Sequence, residues 1–299
     1  MDISVTPVQT LPGTAPAWKG RRGRQIRRIK DSIIYAVMLL MIGLVISILV
    51  FILAYILGQA MGNLNLKFLI GAAREGGVFP MLVTTFYVVA VSLLIALPIG
   101  IVTAIFLNEY AGDTPAVRFL RLAIETLAGI PSILYGLFGL LMFCRFFGFG
   151  QSILAGACTL SIMILPVIIR TTEESLKTIP GAYREGSLSL GATKFQTIRH
   201  VVIPSALPGI VTSTILAVGR VVGESAPVLL TVGITKNIPR TVFDSGRTLT
   251  IHLYYLTKEA VSPGDFGAAF AAAAVLIIFV VLINCVTKLS TGLFRKKIG

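Results

Sequence analysis

The stretch IPGAYREGSLSLGATKFQTIRHVVIP, Ile179 to Pro204, is a polar interruption between two long apolar runs, and its reading decides the architecture. Pro180-Gly181 opens it and Pro204 closes it. Between them Leu188, Phe195, Ile198 and Val202 are spread among polar positions in the manner of two short amphipathic helices. Gly191 is the natural turn, because glycine enters the left-handed backbone region without steric cost. Two helices of this size enclose no core of their own. They need a partner protein or a lipid surface over their apolar face, and periodicity does not choose between the two.

Outward from this loop the chain is a membrane protein by composition. Of its 299 residues 55% are hydrophobic and 13% charged, with a mean hydropathy of +0.89, whereas soluble domains carry about 25% charged residues. A helix needs roughly 20 apolar residues to cross the hydrocarbon layer. Six runs qualify: Ile33–Leu57, Phe79–Leu107, Leu122–Phe143, Ser152–Ile169, Ala206–Gly233 and Phe266–Val286. The expected fold is all-α, a polytopic integral membrane protein of six transmembrane helices. The first run is longer than the roughly 7–15 residues of a signal-peptide core and follows a long polar stretch, so it reads as a true span.

Lysines and arginines set the orientation. The N-terminal tail carries seven, the 170–204 loop five, the C-terminal tail four and the 108–121 loop two, against seven in all the loops on the opposite side. Both termini are therefore expected in the cytoplasm. The domain organisation follows: a basic tail at 1–32, a transmembrane domain at 33–289 with a cytoplasmic loop at 170–204 and an external loop at 234–264, and a short tail at 290–299. The run RRGRQIRRIK suits the anionic inner leaflet of the membrane lipid. The net charge of +13 belongs to this asymmetry, and without interleaved base-stacking aromatics it does not indicate nucleic acid.

Catalytic chemistry finds no footing. Cys144, Cys158 and Cys285 lie in or beside spans without metal-ligand spacing and read as small buried apolar residues, and His200 and His252 are isolated and expected at the interface. No metal site and no catalytic cluster are expected. GAYREGSL has glycines at P-loop spacing, Gly181 and Gly186, but Ser187 stands where the phosphate-binding lysine is required. The chain is not expected to hydrolyse ATP.

The charges inside the apolar runs are more informative. In LAVGRVVGESAP (Leu216–Pro227), Arg220 and Glu224 are one helical turn apart, and Pro227 cannot donate to the carbonyl of Gly223, so the helix should break near Glu224. Gly219 and Gly223 form a small-residue face suited to a close helix neighbour. Two readings stand: an internal ion pair, or an anion site in which the planar fork of Arg220 meets an oxyanion and Glu224 accepts a hydrogen bond from a protonated one. Arg170, at the end of the fourth run, reads either as a second anion step or as a topological anchor. Arg121 and Glu125 suggest a local ion pair. Ser132 and Tyr135 suit a polar path, and Lys236, Arg240 and Arg247 suit an external basic surface. Helix breaks are expected at Pro98, Pro131, Pro166 and Pro227.

The opening loop resembles the signature of ABC importer permeases, E-A-A-x3-G-x9-I-x-L-P. Here it stands as Glu185-Gly186-Ser187, then Gly191, then Val201-x-Ile203-Pro204, with every interval kept and small residues exchanged. LPIGIVTAIFLNEYA (Leu97–Ala111), GIPSILYGLFGL (Gly129–Leu140) and GRVVGESAPVLLT (Gly219–Thr231) are similar to PstA-type permeases of phosphate importers. The resemblance implies a type I ABC importer permease fold in the bacterial cytoplasmic (inner) membrane. It further implies a homologous second permease subunit, an ATPase dimer that docks on Glu185, Gly186, Ser187, Gly191 and Pro204, and an external phosphate-binding protein. ATP and Mg would bind that ATPase, and no cofactor would bind this chain. An ABC permease for molybdate or sulfate would share the loop, whereas a secondary transporter would need no such motif, and no internal repeat supports one.

Overall fold

The computed structural model describes residues 21–71, 76–261 and 266–298, with side chains described from 30 to 289. Every regular element among the described residues is helical: α1 (Arg21–Ala60), α2 (Leu66–Ile70), α3 (Phe79–Ile105), α4 (Pro115–Ala128), α5 (Ser132–Gly139), α6 (Ile153–Lys177), α7 (Gly181–Ser189), α8 (Lys194–Thr197), α9 (Ile203–Gly223), α10 (Ala226–Thr231), α11 (Leu249–Glu259) and α12 (Phe266–Ile298). π-helical turns extend α3 (Phe106–Tyr110) and α5 (Leu140–Phe146) and join α8 to α9 (Ile198–Val202). The chain divides into two units, Met1–Tyr55 and Ile56–Gly299. The first holds most of α1, whose large apolar side chains from Ile33 to Leu53 are exposed, as suits a helix solvated by lipid.

Five helical stretches are long and apolar enough to cross a membrane: Lys30–Ala60, Phe79–Tyr110, Ile153–Lys177, Lys194–Gly223 and Phe266–Leu289. Pro115–Ala128 and Ser132–Phe146 pass the same test only together, as a bent pair. The expected straight third span, Leu122–Phe143, is thus two helices meeting at 99°. Gly129 and Pro131 cause the bend: glycine favours leaving the helix, and proline withholds the N–H that would continue it. One carbonyl freed at the end of α4, that of Leu127, accepts a 2.6 Å hydrogen bond from the Tyr135 hydroxyl on α5.

The other prolines divide in two. The chain breaks before Pro227, where Glu224 is extended with φ −76° and ψ 135°, but α3 runs through Pro98 and α6 through Pro166. The two broken sites each have a glycine upstream in the same turn, at Gly129 and Gly223, whereas Ala96-Leu97 and Ile164-Leu165 precede the two that hold. Proline in a packed transmembrane helix is tolerated because neighbouring helices and local backbone adjustments satisfy the groups it frees.

Within the larger unit α6 is the central helix, packed against α3, α9, α5, α10 and α4. Its first half is lined with small residues, Ala155, Gly156, Ala157, Thr159 and Ser161, all buried, which lets neighbouring backbones close in. Ser161 donates to the Ser92 carbonyl of α3 at 3.0 Å, and Thr172 meets Ser213 of α9 at 3.3 Å. Without hydrophobic drive between helices in lipid, such bonds and close packing hold the bundle. α6 also runs two turns beyond the expected end at Ile169, so Arg170 lies inside it. The stretch 234–264 is more than a loop, since α11 buries Leu249, Ile251 and His252. His252, expected at the interface, is 8% exposed. Of the cysteines only Cys144 is buried; Cys158 is half-buried and Cys285 exposed.

Candidate functional site

Arg220 stands in the last turn of α9, where a cation is favoured by the helix dipole, and Glu224 is the residue that leaves the helix. Arg220 Nε lies 3.9 Å from Glu224 Oε1, with the two side chains 30% and 17% exposed. That separation exceeds hydrogen-bond length. Among the described residues no hydrogen bond to protein occupies the Arg220 guanidinium, so its N–H donors remain available. The break behind Glu224 is held from α5. A Cβ on Gly136 would come within 2.8 Å of Pro227 Cα and 3.3 Å of the Ala226 carbonyl oxygen, so glycine is what allows α5 and α10 to touch. Tyr135, buried on the same helix, lies within electrostatic reach of Arg220, although its hydroxyl is committed to Leu127. Gly219 and Gly223 have nothing within 4 Å of a Cβ position, which leaves their side of α9 open in this chain.

A second charged group lines a cavity of about 240 Å³ between α4 and α6. Arg170 bridges two carboxylates, Nε to Glu174 at 3.1 Å and Nη1 to Glu125 at 3.2 Å. Arg121 Nη2 reaches Glu173 at 3.0 Å and donates to the Leu107 carbonyl at 3.1 Å, while Lys177 Nζ lies 2.8 Å from the same Glu173 oxygen. The expected Arg121–Glu125 pair is therefore absent. Both side chains reach across to α6 instead, because its extension past Ile169 supplies Arg170, Glu173 and Glu174 directly opposite. Three cations and three carboxylates balance in one lattice. Thr172 is level with Ser213, so antiparallel α6 and α9 place Arg170 about 8 Å nearer to the 181–204 loop than Arg220.

The loop itself takes the expected form with one change. α7 ends at Ser189 with Leu190 as its cap, Gly191 turns with φ +85°, and a capping box of Thr193 and Gln196 starts α8. Ser187 Oγ and Thr197 Oγ1 are 2.9 Å apart and join the two arms. The change is at Pro204, which does not end the loop; the second arm continues as one helix from Lys194 to Gly223. The π turn at Ile198–Val202 makes this possible, since its looser bonding leaves room where the proline ring would strike a preceding carbonyl. Ile198 and Val202 are buried, whereas Tyr183, Leu188, Leu190 and Phe195 point outward, Leu190 at 91% exposure. Glu185 and Gly186 are exposed on α7, Ser187 is half-buried, and a Cβ on Gly186 would meet nothing.

Residues 96–299 match the family described as binding-protein-dependent transport system inner membrane component. The chain belongs to this family. It is 36% identical over 238 residues to the probable ABC transporter permease protein YqgI of Bacillus subtilis, covering 75% of this chain and 81% of that one. It is 37% identical over 209 residues to the phosphate transport system permease protein PstA of Mycobacterium leprae, covering 70% and 68%. Among solved structures, a bacterial alginate ABC transporter superposes with a TM-score of 0.62 at 16% identity, covering 93% of this chain and 98% of that one. The MetNI methionine ABC transporter does so with 0.55 at 20%, covering 75% and 94%. The fold of this permease is thus that of type I ABC importer permeases, and it is a multi-pass membrane protein.

Of the basic residues expected on the external side, Lys236 and Arg240 are exposed on the permease, but Arg247 is buried, with Nε donating to the Ile234 carbonyl at 3.1 Å and its guanidinium 4.4 Å over the Tyr255 ring. Asp244 accepts the backbone N–H groups of Arg240 and Thr241, which, with the Arg240 charge, hold its carboxyl below the usual range. Sequence reasoning passed over Arg184 and Glu109, the least exposed ion pair among those described. The spacing of 75 residues offers no local signal for it.

Proposed function

We propose that this permease moves inorganic phosphate across the cytoplasmic membrane as one transmembrane subunit of an ATP-driven importer. The observation that carries the reading is Arg220: a permanent cation at a helix break inside the bundle, its guanidinium free of hydrogen bonds to the described protein and facing an acid one turn away. That arrangement suits an anion that still carries a proton. The fork binds the oxyanion, and Glu224 accepts a hydrogen bond from its protonated oxygen while repelling a fully ionised dianion. The PstA-named relatives support phosphate as that anion.

In the working complex this chain pairs with a homologous second permease, both termini lie in the cytoplasm, and an external binding protein delivers the anion to the Arg220 side. A separate ATPase dimer, holding ATP and Mg, docks on the outward residues of α7 and α8 around Glu185–Gly191. Its closure moves that loop, and the anion passes from Arg220 towards the cavity beside Arg170. There the Glu125 and Glu174 contacts would have to loosen before the Arg170 fork receives it. The chain supplies pathway and coupling, without catalysis.

The test is phosphate uptake into proteoliposomes containing this chain with the ATPase and second permease added or withheld. Uptake that needs both partners and ATP is expected. Uptake driven by an ion gradient without nucleotide would overturn the reading.

A further inference from the structure

At the loop end of the bundle, one side chain of α7 reaches the ends of both α3 and α6, while Ser187 meets Thr197 on the other arm. No residue of α7 is fully buried, and a nine-residue helix without a buried face has little hold of its own. Arg184 provides the hold. Its Nε lies 3.2 Å from both carboxylate oxygens of Glu109, and its Nη2 lies 2.7 Å from Oε1. The remaining donors cap the end of α6, Nη1 to the Ile179 carbonyl at 2.9 Å and Nη2 to the Leu176 carbonyl at 3.1 Å. Glu109 is 7% exposed at its side chain and sits in the π turn that ends α3, steadied by Asn108 Nδ2 at 2.7 Å. The other arm of the loop holds the same turn, with Lys194 Nζ 4.8 Å over the ring of Tyr110.

We infer that Arg184 and Glu109 form the joint that transmits displacement of α7 to α3 and α6, a positioning pair for coupled transport. Apolar contacts between α7 and the spans would slide under load. A forked ion pair resists displacement in several directions at once, because the guanidinium is bonded to two elements by geometry-specific donors. The receiving end is continuous with its span: the π turn that holds Glu109 runs unbroken from α3 as one helix, Phe79–Tyr110, so the turn and the span move together. Since α3 packs along α6, and α6 along α9, a pull at Glu109 is passed on to α9, which carries Arg220.

This inference rests on the proposed importer function, and the experiment separates the two. In the reconstituted complex, phosphate transported per ATP hydrolysed is measured for the parent chain, Arg184→Ala, Arg184→Lys, Glu109→Gln and the swap Arg184→Glu with Glu109→Arg. The parent tests the function: no ATP-dependent uptake sinks that reading. The joint is tested by the variants. Arg184→Ala and Glu109→Gln should keep ATP hydrolysis and lose at least tenfold in transport per ATP, Arg184→Lys should fall between, and the swap should recover part of the loss. Spin labels placed at Ser189→Cys and Val102→Cys, with the native cysteines replaced, report the α7–α3 distance. That distance should stay fixed between nucleotide-free and nucleotide-trapped parent and change between those states in Arg184→Ala. An unaltered transport-to-ATP ratio in Arg184→Ala, or a parallel fall of both rates with loss of assembly, would overturn the joint.

Discussion

Arg220 and Glu224 face one another across the end of α9, yet the guanidinium stops 3.9 Å from the carboxylate. Two opposite charges in a membrane bundle would be expected to close on one another. They stay apart because Glu224 is already out of the helix, with its backbone extended, and because Gly136 lets α5 hold the following turn in place. The gap leaves the donors of Arg220 for a third party.

Arg220→Lys should therefore weaken uptake with the complex still assembled, since a point charge replaces a two-pronged fork. A lost charge-assisted hydrogen bond is worth about 1.5–3 kcal/mol, or roughly ten- to a hundredfold in uptake rate. Arg220→Ala should abolish transport. Glu224→Gln should relax selectivity, so that sulfate competes with phosphate. Initial rates of labelled phosphate uptake with and without sulfate measure all three, and normal uptake by Arg220→Ala would rule out an anion site there.

The contact of α5 with α10 admits no side chain. Gly136→Ala should cost about 1–3 kcal/mol through overpacking, as the methyl group meets the Pro227 backbone rather than a yielding side chain. A lowered thermal midpoint in detergent, with transport lost in step because the Glu224 turn shifts, is the expected result. Gly219→Ala, where a Cβ meets nothing, should leave the midpoint of the isolated chain unchanged.

The charge lattice between α4 and α6 should respond unevenly. Glu173 is 7% exposed and serves both Arg121 and Lys177. Glu173→Ala should destabilise by about 1–3 kcal/mol, because two cations lose their shared counter-ion. Glu125→Ala removes one of two carboxylates from an exposed Arg170, and exposed pairs contribute little. Its midpoint should match the parent, and any effect should appear in transport instead. Equal destabilisation by the two variants would contradict this ordering.

His252 makes stability depend on pH. Burial, with the nearby Arg247 and Lys236 charges, pushes its pKa from 6.5 down to about 4, and Nδ1 has no hydrogen-bond partner. Below pH 6.5 the unfolded chain takes up a proton that the folded chain refuses until about pH 4. Stability is therefore full above pH 6.5 and falls as pH drops through that window, by up to about 3 kcal/mol at roughly 1.4 kcal/mol per unit. Thermal midpoints between pH 7.5 and 4.5 should fall for the parent and flatten for His252→Gln, and a parallel fall in both would assign the acid sensitivity elsewhere.

Local chemistry made much of this legible without coordinates. Long apolar runs must be helices in lipid, because no water is there to satisfy backbone groups, so the all-α character and the five unbroken spans followed from composition. The turn at Gly191 and the break at Glu224 followed too, since each depends on backbone rules within a few residues. The 99° bend at Gly129–Pro131 was written just as locally, but it lies inside an apolar run and hydropathy averages over it.

Which proline breaks a helix, which acid meets which base, and which residue ties α7 to the spans are different in kind. Pro204 is carried within a continuous helix, Lys194 to Gly223, just behind a π turn. Arg121 and Glu125 have the spacing of a pair and choose partners on α6, because a carboxylate or cation supplied across a helix interface competes with one supplied along it. Glu109 and Arg184 are 75 residues apart and become a joint only when the ends of α3, α6 and α7 converge. The sequence by itself determined the all-helical character, the membrane setting and the loop signature, all properties of short-range pattern. The charge pairing, and with it the path by which the loop can act on Arg220, was decided by tertiary structure, because electrostatic partners are chosen by distance in space and not along the chain.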